Sequence, residues 1–380
     1  MKRSLPSRRK QAFKEYQTDH FTVSGTLPIP NQLEEPRMFR TIVQAFGPPN
    51  EVVVGEPYEP QVPGPGQVRI RMLLASVNPS DLVTISGAYR SRTPLPFVPG
   101  FEGVGVIESV GAGVPELLVG QRVLPLGSAG AWQDMKVTEA RWCFPVPPDF
   151  TDQQAAMGYI NPLSAWMMVR EYAPVPPALV AVNAATSAIG QMIIRMLNRV
   201  GVQPIALVRR PDGHRQLMSQ LGVSAVLCTS EVGLRRRLHE LSGGCGLAVA
   251  WDAVGGTEGD ELARALRPGG TLVHYGLLSG TPLSPRLRDE YPEARIVLFR
   301  LRDWVHTTER HALQLALNEV FELIRDGTAA SKVAAVFPLS AIRQALECEA
   351  TPGRQGKVLL SISSDAKTTN SERSPIIRTP

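Results

Sequence analysis

The sequence predicts an α/β protein that joins a β-rich domain to a doubly wound parallel sheet, and three observations support this. From about residue 37 to residue 160, short and partly alternating apolar runs are separated by Gly and Pro, as in strands joined by turns. Near residue 160 the pattern changes to apolar runs without alternation, separated by helical segments, which is typical of a parallel sheet covered on both faces. The chain then returns to strand-like sequence after an amphipathic helix that ends at Gly327.

The β-rich part, residues 38–160, contains four strand-like segments with Gly and Pro between them. They are QVRIRMLLASV, GVGVIESVG, QRVLPLG and QDMKVTEARWCFPV. These segments predict a partly closed β domain with long loops.

The second domain, residues 161–310, contains six apolar runs that we interpret as strands. They are ALVAVNA, QPIALV, SAVLC, LAVAWDAV, GTLVHYGLL and ARIVLFRL, and helical stretches near 188–200, 213–221, 231–241 and 257–267 separate the first five. Six strands in βα units indicate a doubly wound nucleotide-binding fold. The last strand-like segments, KVAAVFP and GKVLLSI, lie in residues 311–364, which we expect to rejoin the first domain.

The composition is that of a globular protein with more than one domain. The 380 residues suggest two domains plus tails, and 43% hydrophobic with 20% charged residues is ordinary for a chain with a sizeable core. No run of eighteen apolar residues exists, so a membrane span is not expected. The four cysteines show no C-x-x-C spacing, which excludes a cysteine-rich zinc lobe and favours a reducing cytoplasm.

The two ends of the chain are predicted to be disordered. The net charge is +5, and much of it falls in a basic arm within residues 1–37, while residues 365–380 are polar. An organellar transit peptide is the alternative for the arm, which would place the protein in an organellar matrix. Without the arm the chain is close to neutral, which disfavours a nucleic-acid partner.

The stretch VAVNAATSAIGQMIIRMLNRVG, residues 180–201, predicts a strand, a turn and a helix with one apolar face. Free N–H groups at such a helix start, with the helix dipole, bind phosphate. Ala185, Ser187 and Gly190 occupy the three glycine positions of the G-x-G-x-x-G motif. Ala and Ser are the smallest replacements for glycine, so we predict a dinucleotide loop whose contacts come from Ala185, Thr186, Ser187, Ala188, Ile189 and Gly190.

Arg209 and Arg210 follow the next predicted strand, about 20 residues beyond the loop, where NAD-binding folds usually carry an acidic residue. A guanidinium suits the 2′-phosphate of NADP(H), and a carboxylate would repel it. We therefore predict NADPH as the cofactor. A solvated basic loop is the alternative, and the neighbouring Asp212 counts in its favour.

Six stretches then suggest a family: NPSDLVTISGAY, VPGFEGVGVIESVG, GYINPLSAW, AATSAIG, DAVGG and GKVLL. With the domain order, they resemble the medium-chain dehydrogenase/reductase superfamily over about residues 38–362. The chain is most similar to its zinc-independent quinone oxidoreductases and, more closely, to the mitochondrial-type 2-enoyl thioester reductases. The resemblance implies a GroES-like catalytic domain, a Rossmann-type NADPH domain and a homodimer formed through the edge of the nucleotide sheet.

A catalytic metal is not expected, because the positions where zinc members of that superfamily carry Cys and His are Asn78 and Phe101 here. Without a Lewis acid, reduction of an activated C=C bond is easier to support than alcohol oxidation. Hydride goes to the β-carbon, and a proton must reach the α-carbon. Tyr89, whose place after NPSD and SGA matches the proton donor of the enoyl thioester reductases, is a phenol that is neutral at pH 7.

Four other residues have a functional and a structural interpretation each. The functional interpretation of Asn78 is a contact with the nicotinamide ribose or the substrate, and the structural one is a local turn. The functional interpretation of Ser164 is that it positions the nicotinamide, and the structural one is that it caps a helix. Trp304 resembles an aromatic residue of the substrate pocket in the reductases, and the structural alternative is packing in the core. Lys357 either lies close to the cofactor or has only a structural role. The resemblance also implies cofactor contacts from the following residues: Asn161, Tyr275, Gly276 and Leu277.

The leading functional hypothesis is NADPH-dependent reduction of a 2-enoyl thioester or a related α,β-unsaturated carbonyl compound. An NADPH:quinone or enone reductase is the second hypothesis, since a quinone needs little help from a protein acid. A cofactor-binding protein without turnover, with the basic arm on RNA, is the third. The expected partner is a small or carrier-bound acyl substrate, with no nucleic acid and no membrane.

Overall fold

The computed structural model describes residues 38–210 and 214–362, so the predictions for the basic arm, for Asp212 and for the polar tail lie outside it. The strands in these residues are β1 Met38–Val43, β2 Val53–Tyr58, β3 Gln67–Ser76, β4 Gly103–Val110, β5 Arg122–Pro125, β6 Met135–Glu139, β7 Cys143–Pro145, β8 Val180–Val182, β9 Ile205–Val208, β10 Ala225–Cys228, β11 Leu247–Asp252, β12 Leu266–His274, β13 Arg295–Leu298, β14 Val333–Pro338 and β15 Lys357–Ser361. The helices are α1 Pro49–Val52, α2 Pro79–Ile85, α3 Asp152–Ala156, α4 Ile160–Tyr172, α5 Ala188–Arg199, α6 Arg215–Gln220, α7 Leu234–Leu241, α8 Gly256–Arg264, α9 Leu287–Glu290, α10 Leu301–Thr307, α11 Arg310–Arg325 and α12 Ile342–Ala350.

Six strands form a parallel sheet in the order β10-β9-β8-β11-β12-β13. The strands β8, β9 and β11 are buried at every residue, which explains why their sequences show no alternation. The strand order reverses between β8 and β11, and ligands bind such sheets at the carboxyl ends of the strands beside this point. The predicted fold class is confirmed.

A second sheet has seven strands in the order β14-β15-β3-β4-β5-β7, with β6 paired to β3, and β1 and β2 pair as a separate two-stranded sheet. Alternate residues of β3, including Val68, Ile70 and Met72, are fully buried, so one face of this strand supplies the core. β15 pairs antiparallel with β3, and the chain after α11 therefore returns to the first sheet. The domain boundaries at residues 160, 310 and 364 stay predictions.

The helix α4 lies between the two sheets in one continuous apolar cluster. Leu163 and Met168 of α4 are fully buried in the cluster that also contains Leu124 of the first sheet and Trp251 of the second. Burial of this much apolar surface fixes the two sheets against each other. The loops that follow their strands therefore meet at one place, which is the site described next.

Candidate active site

A cavity of about 740 Å³ lies where the loops after β8, β11, β12 and β13 meet those of the first sheet. Its walls contain most of the residues that the sequence singled out. They are Asn78, Tyr89, Asn161, Ser164, Thr186, Ser187, Ala188, Ile189, Tyr275, Gly276, Leu277 and Lys357. None of the described helices is both long enough and apolar enough to cross a membrane. Within residues 38–210 and 214–362, no group of three or more His, Cys, Asp or Glu side chains is arranged to hold a metal ion.

The start of α5 offers unpaired donors to the cavity. Ser187 precedes the helix, and its hydroxyl accepts a 3.1 Å hydrogen bond from the Gly190 N–H. The N–H groups of Ala188 and Ile189 have no acceptor within the described residues. This arrangement suits an anion such as a cofactor pyrophosphate.

Gly190 lets the helix approach the loop closely, as the sequence predicted. A Cβ atom at this position would lie 2.6 Å from the Ala184 carbonyl oxygen, so no side chain fits without movement. Ala184 itself has a φ of 44°, a left-handed conformation that favours glycine. Ala185 is fully buried and, like Gly190, shapes the loop without lining the cavity.

The loop after β12 packs tightly against the loop after β11. A Cβ atom at Gly276 would lie 2.6 Å from the Ala253 carbonyl oxygen. The neighbouring Tyr275 lines the cavity, yet its hydroxyl is buried and has no hydrogen-bond partner among the described residues. Burial and the charge of Asp252 raise the pKa of this phenol, which keeps it neutral. The unpaired N–H groups at the start of α5 and these close-packed loops fit an extended dinucleotide.

The buried Asp252 joins three strand ends of the parallel sheet beneath these loops. Its carboxylate accepts hydrogen bonds from Asn183 at 2.6 Å and from the Gly255 N–H, and it lies 2.7 Å from Nδ1 of His274. Burial raises the pKa of Asp252, but these hydrogen bonds outweigh it, so the pKa is lowered overall. The charge therefore stays on Asp252 and holds the crevice in one shape.

Asn78 is a fixed part of the cavity wall. It precedes α2, and its side chain is buried with 1% exposed. Its Oδ1 accepts a 2.6 Å hydrogen bond from Nζ of Lys357, and its Nδ2 donates to the Ser76 hydroxyl at 2.8 Å and to Glu102 at 2.9 Å. Asn78 is also the N-cap of α2, and its N–H donates to the Asp81 carboxylate, so the local turn that the sequence offered as the structural alternative is present as well. Both amide hydrogens are used within the protein, so Asn78 can offer a ligand only its remaining Oδ1 lone pair.

The carboxylates of Asp81 and Glu102 anchor loops beside the cavity. Glu102 accepts hydrogen bonds from the N–H groups of Tyr159 and Ile160 at 2.9 and 2.8 Å, and it thereby fixes the start of α4. Asp81 accepts from the N–H groups of Asn78 and Phe101 at 2.8 and 2.9 Å. Burial raises the pKa of Asp81 to about 7, and burial lowers the pKa of Lys357 despite the surrounding carboxylates.

Tyr89 lines the same cavity and lies in the turn after α2. Gly87, with a φ of 92°, ends the helix, and a Cβ there would lie 2.9 Å from the Phe46 side chain. The Tyr89 ring is half-buried, and its hydroxyl has no hydrogen-bond partner among the described residues. The phenol therefore remains available to a ligand in the cavity.

The structure separates the alternatives that were open for Ser164 and Trp304. The helix α4 begins at Ile160, so Ser164 lies inside it, and the N-cap interpretation was wrong. Its side chain is buried at the cavity wall. Trp304, in α10, does not line the cavity and packs instead against the apolar cluster that contains α4.

Arg209 and Arg210 are exposed at the carboxyl end of β9, outside the main cavity. The Arg209 carbonyl accepts hydrogen bonds from Cys228 and Ser230, which fixes the backbone of the turn. Glu258, half-buried at the start of α8, lies within the field of Arg209; burial raises the pKa of this carboxyl, and the Arg209 charge opposes the rise. Sequence reasoning missed Glu258, because only the topology brings α8 beside the end of β9.

Several cavity residues were not predicted from the sequence. They are Arg92, Tyr159, Arg300, Arg302, His306, Glu349 and Arg354. Glu349 and Arg354 form an ion pair at 2.6 Å, and Trp142 stacks on His306 with ring centroids 5.0 Å apart. A basic FRLR stretch after the last parallel strand was the available signal for Arg300 and Arg302, since loops at this edge of the sheet face the crevice.

Comparisons with known proteins agree with this architecture. Residues 64–148 match the family model of the alcohol dehydrogenase GroES-like domain, and residues 188–324 match that of the zinc-binding dehydrogenases. The chain is 30% identical over 337 residues to the mitochondrial enoyl-[acyl-carrier-protein] reductase of Mus musculus, which covers 87% of this chain and 90% of that protein.

Two solved structures are similar over nearly their whole length. A Bacillus thuringiensis protein assigned as an NADPH:quinone reductase is 33% identical, with a TM-score of 0.80, and the match covers 86% of this chain and 99% of that one. The quinone oxidoreductase of Escherichia coli, solved in complex with NADPH, is 25% identical with a TM-score of 0.77 over 85% of this chain and 99% of that one.

Proposed function

The chain belongs to the medium-chain dehydrogenase/reductase superfamily, in its zinc-independent quinone and enoyl reductase branch, and on this premise we propose that it reduces an activated C=C bond. It is an NADPH-dependent oxidoreductase. The substrate in this proposal is a 2-enoyl thioester or a similar α,β-unsaturated carbonyl compound. The observation that carries the proposal is the unpartnered Tyr89 phenol in the same cavity as the unpaired N–H groups of α5.

In this proposal the cofactor lies along the carboxyl edge of the parallel sheet. Ala188 and Ile189 N–H groups bind the pyrophosphate, while Thr186 and Ser187 flank it. Arg209 and Arg210 bind the 2′-phosphate at the end of β9. Asn161, Ser164, Tyr275, Gly276 and Leu277 surround the nicotinamide, which when bound as NADPH supplies the hydride.

Tyr89 acts as the general acid in this proposal. Its phenol donates a proton to the α-carbon after hydride has reached the β-carbon, which neutralises the enolate-like charge. Asn78 and Lys357 line the same cavity, and in this proposal the buried Lys357 ammonium contributes positive charge near the developing oxyanion. Trp304 supports α10 from the apolar side and has no contact with the reacting atoms in this proposal.

Reduction of a quinone or an enone is the second candidate, and the similarity to the quinone reductases favours it. NADPH oxidation, followed by absorbance over enoyl thioesters, enones and quinones, tests both. Turnover of enoyl thioesters that depends on Tyr89 supports the first candidate. Quinone turnover that is indifferent to Tyr89 supports the second.

We also propose a homodimer formed through β13, which is an edge strand of the parallel sheet. Leu298 at its end is a large apolar side chain that is 59% exposed. Edge strands pair readily with a second copy of the same chain. We propose that this dimer is located in the cytoplasm. Its substrate in this proposal is a small or carrier-bound acyl compound.

A further inference from the structure

Three exposed arginines, Arg92, Arg300 and Arg302, line the cavity, and we call this part of its wall the cavity mouth. The cavity mouth contains more positive charge than the proposed reaction requires. The acidic side chain that lines the same cavity within the described residues, Glu349, is already paired with Arg354. Arg300 is paired with Asp303 at 2.6 Å, which leaves Arg92 and Arg302 without a carboxylate partner in the described part of the chain.

Arg92 and Arg302 approach the mouth from two different parts of the fold. Arg92 follows Tyr89 in the turn after α2, and its guanidinium carbon lies 4.1 Å from the centroid of the Tyr89 ring. Arg302 lies at the start of α10, after the last parallel strand. The cation of Arg302 also acts on His306, whose pKa is lowered first by burial and then by this charge. Arg92 therefore lies beside the proposed proton donor, and Arg302 adds a second positive charge to the lining of the same cavity.

The cofactor does not account for these two charges. The proposed pyrophosphate site is at the end of β8, and β13 lies three strands away in the sheet. At about 4.8 Å per strand, Arg302 follows a strand about 14 Å from that site. The proposed 2′-phosphate site at β9 lies in the other direction from β8. An anion at Arg302 must therefore come from the second ligand of the cavity, which Arg92 also lines.

We propose that the cavity mouth is a substrate-anchoring site, where Arg92 and Arg302 bind a carboxylate or phosphate of the molecule that is reduced. Guanidinium groups bind both anions through paired hydrogen bonds, and neither arginine has a competing acid among the described residues. The anion belongs either to the carrier of a thioester or to the unsaturated compound itself. This inference rests on the proposed function for the reaction that follows binding.

The test compares KM for paired substrates that differ in charge. One pair is crotonyl-CoA and the neutral crotonyl N-acetylcysteamine thioester, and another is monomethyl fumarate and dimethyl fumarate. Arg302→Gln and Arg92→Gln should raise KM for the anionic member by about tenfold or more, with little change for the neutral member. Arg302→Lys should raise the KM for the anionic member by less than Arg302→Gln does, because the positive charge remains.

Arg267→Gln is the matched control. Arg267 is exposed, has no described ion pair and lies at the opposite end of β12 from the cavity. An effect confined to the CoA pair identifies a carrier phosphate, and one confined to the fumarate pair identifies a carboxylate. Equal KM changes for anionic and neutral members, or changes no larger than in Arg267→Gln, would overturn the inference.

A failure of the proposed function gives a different result. If no alkene is reduced but quinones are, the pair 1,4-naphthoquinone-2-sulfonate and 1,4-naphthoquinone repeats the comparison with the same variants. A loss of preference for the sulfonate in Arg302→Gln would then support the anchoring site, although the alkene substrate would be wrong. An unchanged preference for the sulfonate in Arg302→Gln would overturn both the anchoring site and the proposed alkene substrate.

Discussion

Lys357 donates a 2.6 Å hydrogen bond to the side-chain oxygen of Asn78, and 279 residues separate the two in the sequence. The same ammonium donates to the Val77 carbonyl at 2.6 Å, and only 4% of the residue is exposed. The contact joins β15, at the end of the described chain, to the start of α2. The hydrogen bond therefore links two distant parts of the chain in the lining of the cavity.

We expect Lys357→Met to lower the free energy of unfolding by about 3 kcal/mol, because it leaves two buried acceptors unpaired beside Asp81 and Glu102. Urea unfolding measures this. Lys332→Met is the matched control, since Lys332 is exposed, and it should change stability by no more than about 0.5 kcal/mol. A double-mutant cycle with Asn78→Ala should give a coupling of about 1 kcal/mol or more, and no coupling would contradict the role of this contact.

The buried Asp81 predicts a dependence of stability on pH. Its folded-state pKa is raised to about 7, so between its unfolded value and pH 7 the folded protein binds a proton that the unfolded chain has released. Stability therefore falls as pH rises through this window, by at most about 1.4 kcal/mol per pH unit from this group. Urea unfolding at several pH values should show a shallower fall in Asp81→Asn than in the wild type, and parallel profiles would contradict it.

The left-handed backbone of Ala184 predicts that glycine is tolerated there. Ala184→Gly removes a strain of about 1–2 kcal/mol, which offsets or exceeds the entropy that glycine adds to the unfolded chain. Thermal unfolding should show unchanged or higher stability. Ala312→Gly, at an exposed position in α11, is the control and should destabilise the protein by about 1 kcal/mol. Equal losses in the two variants would show that Ala184 is not strained.

Arg209 and Arg210 should determine the choice between NADPH and NADH. The double variant Arg209→Gln and Arg210→Gln should weaken NADPH binding by about tenfold or more, because two charge-assisted contacts to the 2′-phosphate are lost. NADH binding should change little, or improve, since Glu258 is near. Titration of each cofactor by fluorescence measures this. Equal losses for NADPH and NADH would place the 2′-phosphate elsewhere.

The parallel sheet could be predicted from the sequence because the patterns that indicate it lie within short stretches of the chain. Buried strands such as β11 are continuous apolar runs, and Gly190 follows Ala184, in the loop that it packs against, by only six residues. The site was predictable where a motif carries it, as at Tyr89 and Ser187. The partners of Glu102 and Lys357 were not, because they lie on elements that only the tertiary fold brings together. The helix-cap alternative for Ser164 fails because α4 begins earlier, at Ile160, with Pro162 in its first turn.

The most direct test of the proposed mechanism is single-turnover reduction of a 2-enoyl thioester by Tyr89→Phe with saturating NADPH. Loss of the phenol proton donor should slow reduction by about 100-fold or more, while the dissociation constant of NADPH stays at the wild-type value. Tyr58→Phe is the control, since that hydroxyl binds the Met135 backbone away from the cavity. A Tyr89→Phe enzyme that reduces the thioester at the wild-type rate would contradict the assignment of Tyr89 as the proton donor.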